Sequence, residues 1–253
     1  MKRQYGWKPD LPDIRDFKYA LPRGLKKLPS VVDLREIKAL PVFDQGNTSS
    51  CTGNATASAF LYTEMLLARS KAVTPSRLFL YYNARQLEGT ADWDCGACIR
   101  DVVKCVAKLG VCPESGWPFN AKLITQKPPA PEYKEALDHQ ATSYWRLENT
   151  ILDKLKGCLA EGYPFVFGMT VYESFESDAV DEKGLVTMPL SDEKVIGGHA
   201  MVAMGYNDQW KRFLVLNSWG SKFGVKGYCS IPYKYLTNTS LADDFWTIRT
   251  VEV

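Results

Sequence analysis

Histidine is almost missing from this sequence: of 253 residues, only His139 and His199 carry an imidazole. Metal chemistry built on histidine clusters is thereby excluded. Zinc coordination by paired cysteines also lacks partners, because Cys95-Gly96-Ala97-Cys98 is the one pair with C-x-x-C spacing and neither histidine is near it in sequence. No metal and no cofactor is expected. Long apolar runs are lacking too, and nothing approaches the ~20 residues that a membrane-spanning helix needs. An excess of one charge is also absent. The 31 Lys and Arg against 29 Asp and Glu leave a net charge of +2, so neither nucleic acid nor a membrane is an expected partner. The stretch from Met1 to Asp10 is basic but has no apolar run behind it, so no cleavable secretion signal is expected. That points to the cytoplasm or to export by a non-classical route, without choosing between them. There is no internal repeat and no low-complexity tract.

What is present is ordinary globular composition, with 45% hydrophobic and 24% charged residues, enough for one large core or two small ones. Residues 1–29 carry Pro9, Pro12, Pro22 and Pro29 among mixed charges and aromatics, and read as an extended arm. From Cys51 to about Arg69 the spacing of Ala55, Ala59, Tyr62 and Leu66 predicts a helix whose first turns are all small residues. Residues 75–85 and 99–109 also read as helices. Later the signals change. Pro164 to Val171, Ala200 to Met204, Phe213 to Leu216 and Gly227 to Ile231 read as strands, and the middle two form a hairpin around Asn207 to Lys211. Helices first and strands afterwards imply an α+β protein in two lobes.

Three short strings carry chemistry. Gln45-Gly46 stands six residues before Cys51, Gly197-Gly198-His199-Ala200 follows far downstream, and Asn217-Ser218-Trp219-Gly220 comes last. A thiol, an imidazole and an amide are the parts of a cysteine-nucleophile catalyst. Cys51 would open its helix, where the dipole and an imidazolium lower a thiol pKa from ~8.5 to ~3.5–7.5. His199 would hold the proton and return it to the leaving amine. Asn217 would orient the ring, with Trp219 shielding that bond. Gln45 and the Cys51 N–H would face the developing oxyanion. His139, in a polar stretch, reads as a bystander.

The chain thus resembles the papain-like cysteine peptidases from about Pro29 to Ile231. Pro29-Ser30-Val31-Val32-Asp33-Leu34-Arg35 is similar to the family's mature start, Pro-x-x-Val-Asp-Trp-Arg, and the His and Asn strings are close to its most specific ones. The separation of Cys51 from His199, 199 − 51 = 148 residues, matches the family's about 130–150, and Asn217 follows in the family's order. The resemblance implies a helical left lobe (about 46–125) and an antiparallel β-barrel-like right lobe (about 126–253, with 30–45 crossing to it). Together these form a peptidase domain over 30–253, preceded by the arm at 1–29. It implies that nucleophile and imidazole face each other across a cleft, that Gly96 and Ala97 pair with the substrate backbone, and that Ile99 lines the main specificity pocket. Gly198 and Trp219 complete the substrate-binding set. Departures are clear. Thr48 stands where the family has a cysteine, so one of its disulfides is absent. Thr52-Gly53-Asn54 resembles bacterial and some viral members, and Phe223 replaces a second tryptophan.

The expected activity is endopeptidase hydrolysis of a peptide or protein through an acyl-thioester on Cys51. Two alternatives remain: a non-catalytic papain-like binding protein, and an acyl transferase or isopeptidase using the same residues. The arm is a candidate intramolecular inhibitor, because Tyr5, Trp7, Phe17 and Tyr19 could settle on an apolar cleft. Six cysteines besides Cys51 would allow three disulfides, but a chain without a secretion signal is expected to keep them mostly reduced. Cys158, on the apolar face 151, 152, 155, 158 and 159, reads as core.

Overall fold

The computed structural model describes residues 3–22, 27–67 and 72–251. In chain order the elements are β1 (Trp7–Lys8), β2 (Val31–Asp33), α1 (Cys51–Leu66), α2 (Arg77–Leu87), β3 (Ala97–Cys98), α3 (Ile99–Leu109), α4 (Ala130–Ala136), β4 (Ala141–Leu147), α5 (Leu152–Ala160), β5 (Phe165–Tyr172), α6 (Asp178–Lys183), β6 (Val195–Asn207), β7 (Arg212–Leu216), β8 (Tyr228–Pro232), α7 (Tyr233–Leu236) and β9 (Ala242–Val251). The expected end of the first helix, residues 68 and 69, lies outside the described residues.

Helix α1 is the wall between two cores. Apart from Asn54 and Glu64 it is made of small, aromatic or aliphatic residues on every side, and it is buried from Cys51 to Glu64, as a helix packed all round must be. Ala55, Ala59 and Tyr62 face the sheet core, while Ala57 and Phe60 face a second core with Phe79, Tyr81 and Val106 from α2 and α3. Gly53 lets α2 approach closely, since a Cβ there would lie 2.9 Å from the Tyr81 Cβ. The neighbouring helices have local reasons to form. Ser76 caps α2 by accepting from the Phe79 N–H. Helix α3 is sharply amphipathic and stops at Gly110, whose φ of +73° suits glycine.

The strands form a seven-stranded antiparallel sheet in the order β4-β9-β5-β6-β7-β8, with β2 added to the β5 edge of β6 at Asp33↔Gly205. Its core is aromatic: Phe167 and Phe245 stack at 5.5 Å, and Phe165 lies against both them and Phe213. The fold is α+β as expected. The right-lobe sheet is not closed into a barrel, because its end strands β4 and β8 do not pair with each other among the described residues. Strands β4 and β9 were not visible in the sequence pattern.

The arm is not a loose tail. Trp7 and Lys8 pair in parallel with Ala97 and Cys98, and Asp10 is buried. Tyr19 enters the sheet core, donating to Glu161 at 2.6 Å.

Candidate active site

The start of α1 puts Cys51 against the middle of β6, and its side chain is fully buried. Backbone N–H groups of Ala200, Gly6 and Thr52 lie against its sulfur and favour the thiolate, but burial outweighs them and pushes the thiol up to about 11. His199 stands on β6 opposite Met169 and is also fully buried. Its Nε2 lies 2.8 Å from the Asn217 Oδ1. That oxygen also accepts from the Ser218 N–H at 2.8 Å, so it faces the ring as an acceptor. Nε2 therefore carries the proton and Nδ1 presents a lone pair. Among the described residues Nδ1 has no hydrogen-bond partner. Trp219 stacks on the imidazole at 4.9 Å, with Phe175 and Phe223 behind it. Phe223 keeps an aromatic edge where the family's second tryptophan is missing. Burial pulls the His199 pKa down to about 4, against the Asn217 bond, and the nearby Arg3 guanidinium pulls the same way.

Gln45 is fully buried and held at both ends of its amide. Oε1 accepts from the Ser218 hydroxyl at 2.7 Å, and Nε2 donates to the Thr48 carbonyl at 2.7 Å and to the Gln4 carbonyl at 3.2 Å. Gly96 adopts φ +80°, and a Cβ there would lie 2.2 Å from the Gly6 carbonyl oxygen. Ala97 donates its N–H to that same oxygen at 2.8 Å. Gly198 lies under Trp7, where a Cβ would meet the Trp7 oxygen at 2.7 Å. Ile99 is fully buried in the sheet core. His139 sits apart, its Nδ1 3.2 Å from Glu64.

Trp7 belongs to the aromatics singled out in the arm, but the charged groups clustered around it gave no sequence signal. The Trp7 indole fills the space beside Gly168 and donates to Asp244 at 2.9 Å. The Asp10 N–H donates to the same carboxylate at 2.7 Å, while the Asp10 carboxylate accepts from Trp246 at 3.1 Å. Arg146 bridges Asp16, Asp243 and Asp244, and Arg100 pairs with Asp16 at 2.7 Å. Lone aspartates in an arm and in a strand look alike in sequence; only the tertiary contact makes them a buried cluster. Glu88, Cys98 and Asp101 bring three ligand atoms within 4.8 Å of one another. Both Glu88 oxygens are already used, by the Lys8 ammonium at 3.2 Å and by the Cys98 N–H at 2.7 Å, so this is an ion-paired anchor for the arm. All seven cysteines are free, and Cys158 is core. No helix among the described residues is long and apolar enough to cross a membrane.

Comparison with known proteins bears on this geometry. The profile described as papain family cysteine protease matches residues 28–245. An uncharacterised peptidase C1-like protein of Acanthamoeba polyphaga mimivirus is 40% identical over 99% of this chain and 88% of its own. Xylellain, a cysteine protease from Xylella fastidiosa, superposes with a TM-score of 0.93 at 40% identity, over 100% of this chain and 99% of that one. The procathepsin B from Trypanosoma congolense shares the fold at 16% identity, with a TM-score of 0.78 over 98% and 86% of the two chains. A family profile spanning most of the chain, and relatives matched along its whole length, lead to one conclusion: this protein belongs to the papain family of cysteine proteases.

Proposed function

We propose that Cys51 is the nucleophile, His199 the general base and acid, Asn217 the group that orients the imidazole, and Gln45 an oxyanion donor. The carrying observation is the buried His199–Asn217 bond of 2.8 Å beneath Trp219, on the strand against which α1 packs with Cys51 at its N-terminus. The Cys51 sulfur attacks the substrate carbonyl carbon while its proton passes to the His199 Nδ1. The oxyanion is held by the Gln45 Nε2 and the Cys51 backbone N–H. Collapse breaks the C–N bond, His199 delivers the proton to the leaving amine, and an acyl-thioester remains. Water, deprotonated by His199, then releases the acid and restores the thiol. The substrate backbone pairs with Gly96 and Ala97, and Ile99, Gly198 and Trp219 shape the flanking subsites. The peptidase unit spans 30–253 and the arm 1–29.

The arm acts as an intramolecular inhibitor in this reading. Gln4 offers its carbonyl to the Gln45 amide, and Gly6 takes the Ala97 N–H. The chain runs from Arg3 on Trp219 to Trp7 beside Ala97, opposite in this reading to a substrate whose acyl part lies on the Ala97 edge. The cover also dries the site. Burial favours a neutral thiol and a neutral imidazole, which is the unreactive pair. The test is Cys51→Ala, which abolishes hydrolysis of a peptidyl coumarin amide while the protein still melts cooperatively; activity retained within tenfold would remove Cys51 from the role.

A further inference from the structure

The arm is a ligand that the protein carries with it, so its side chains report what chemistry the cleft holds. Beyond His199, on the side away from Ala97, Arg3 is bound on two faces. Its guanidinium lies 4.0 Å above the Trp219 ring and 5.7 Å from that of Phe223, and it pairs with Asp181 at 2.6 Å. Beside it the Tyr5 hydroxyl donates to Glu176 at 2.5 Å. An aromatic face with a carboxylate at its edge is the arrangement that selects a guanidinium or ammonium group. The segment that supplies the carboxylates is strongly one-signed: between 173 and 183, Glu173, Glu176, Asp178, Asp181 and Glu182 face only Lys183.

We propose that Glu176, Asp181, Trp219 and Phe223 form a subsite on the leaving-group side of the scissile bond that takes a basic side chain, and that Arg3 occupies it in the resting chain. The inference rests on the mechanism above in one respect. His199 protonates the leaving amine, so the surface beyond His199 belongs to the residues that follow the cleaved bond. The preferred substrate therefore carries arginine or lysine shortly after that bond. When the arm withdraws, two carboxylates lose their partners, and a basic substrate residue restores them.

The experiment compares quenched fluorescent peptides of one sequence in which the first, second or third residue after the scissile bond is arginine or its neutral isostere citrulline. The full-length enzyme is assayed alongside Asp181→Asn and Glu176→Gln. The readout is the arginine-to-citrulline ratio of kcat/KM within each protein, which cancels any effect of a variant on the arm or on turnover. A ratio of about ten at one position, falling towards one in Asp181→Asn and shrinking with added salt, is the expected result. A ratio near one in the full-length enzyme, or a ratio that survives both substitutions, overturns the proposal. Hydrolysis of a coumarin amide, which has no residue after the bond, reports the peptidase reading separately. Binding of the same peptides to full-length Cys51→Ala gives the comparison without any chemistry; equal affinities for arginine and citrulline peptides there also overturn it.

Discussion

The side-chain amide of Gln45 donates to the backbone carbonyl of Gln4 across 3.2 Å. The group proposed to stabilise a developing oxyanion is thus satisfied, in the resting chain, by a carbonyl of the protein's own arm. The proposed inhibition and the proposed catalysis would draw on the same donor, and this makes both testable.

Gln45→Ala is expected to lower kcat by ~10²–10³ with little change in KM, because the donor acts mainly on the transition state. The same substitution loses the Ser218 and Thr48 bonds, so the melting temperature should fall as well. Steady-state kinetics beside a thermal melt separates the two effects. Unchanged kcat with raised KM would make Gln45 a binding residue.

Cys51 should react slowly with a small neutral thiol reagent and Cys95 quickly, since the first is fully buried and the second exposed. Trp7→Ala removes the indole that fills the space beside Gly168 and the bond to Asp244. It is expected to speed labelling of Cys51 several-fold, as followed by peptide mass spectrometry, with a smaller change at Cys95, which is already exposed and touches the arm through Lys8. The denatured, unreduced protein should show seven free thiols.

Deleting residues 1–10 should raise kcat/KM, more for a folded protein substrate than for a short peptide. A longer deletion that includes Tyr19 is expected to behave differently. Tyr19 is buried, bonds Glu161 at 2.6 Å and lies 4.9 Å under the Arg249 guanidinium. Its loss should cost about 3 kcal/mol of stability. Tyr19→Ala in the full chain, measured by denaturant unfolding, isolates that brace from the inhibitory segment.

Docking of the arm should weaken as pH rises. Burial, and then the neighbouring Asp244 carboxylate, raise Asp10 from 3.8 to about 7, with the Arg100 guanidinium and the Trp246 bond opposing; Asp244 is raised by burial, but the arm's own Asp10 N–H and Trp7 indole lower it, so the proton uptake on docking falls on Asp10. The docked state therefore binds more protons than the released one between about pH 4 and 7. Docking is firmest below that window and loosens through it. Hydrogen-exchange protection of residues 6–8, corrected for intrinsic rates, should fall from pH 4 to 7, and Asp10→Asn should flatten the fall. Protection that rises with pH would contradict the assignment.

Much was legible before any coordinates. Helix α3 begins and ends where its amphipathic pattern predicts, at 99 and 109, because that pattern and its glycine stop are local. The hairpin of β6 and β7 was equally clear. Strands β4 and β9 were not. Strand β9 carries Asp243, Asp244 and Arg249 among its apolar residues, and β4 carries Arg146, charges that break any alternating pattern. They are tolerated inside because partners from the arm and from neighbouring strands meet them.

The sequence by itself determined the family and supplied the residues on which the proposed chemistry rests. A thiol, an imidazole and two amides are residue types, and their order along the chain is read directly. It also determined the alternation of helices and strands, since periodicity is a property of neighbouring residues. Only the tertiary structure decided where the arm lies. Residues 3–10 carry little pattern of their own, and their conformation is set by distant groups: the Gln45 amide, the Ala97 N–H, the Asp244 carboxylate and the Trp219 ring. Contacts across such separations depend on how the cores on the two sides of α1 close on each other, and no local rule in the sequence encodes that closure.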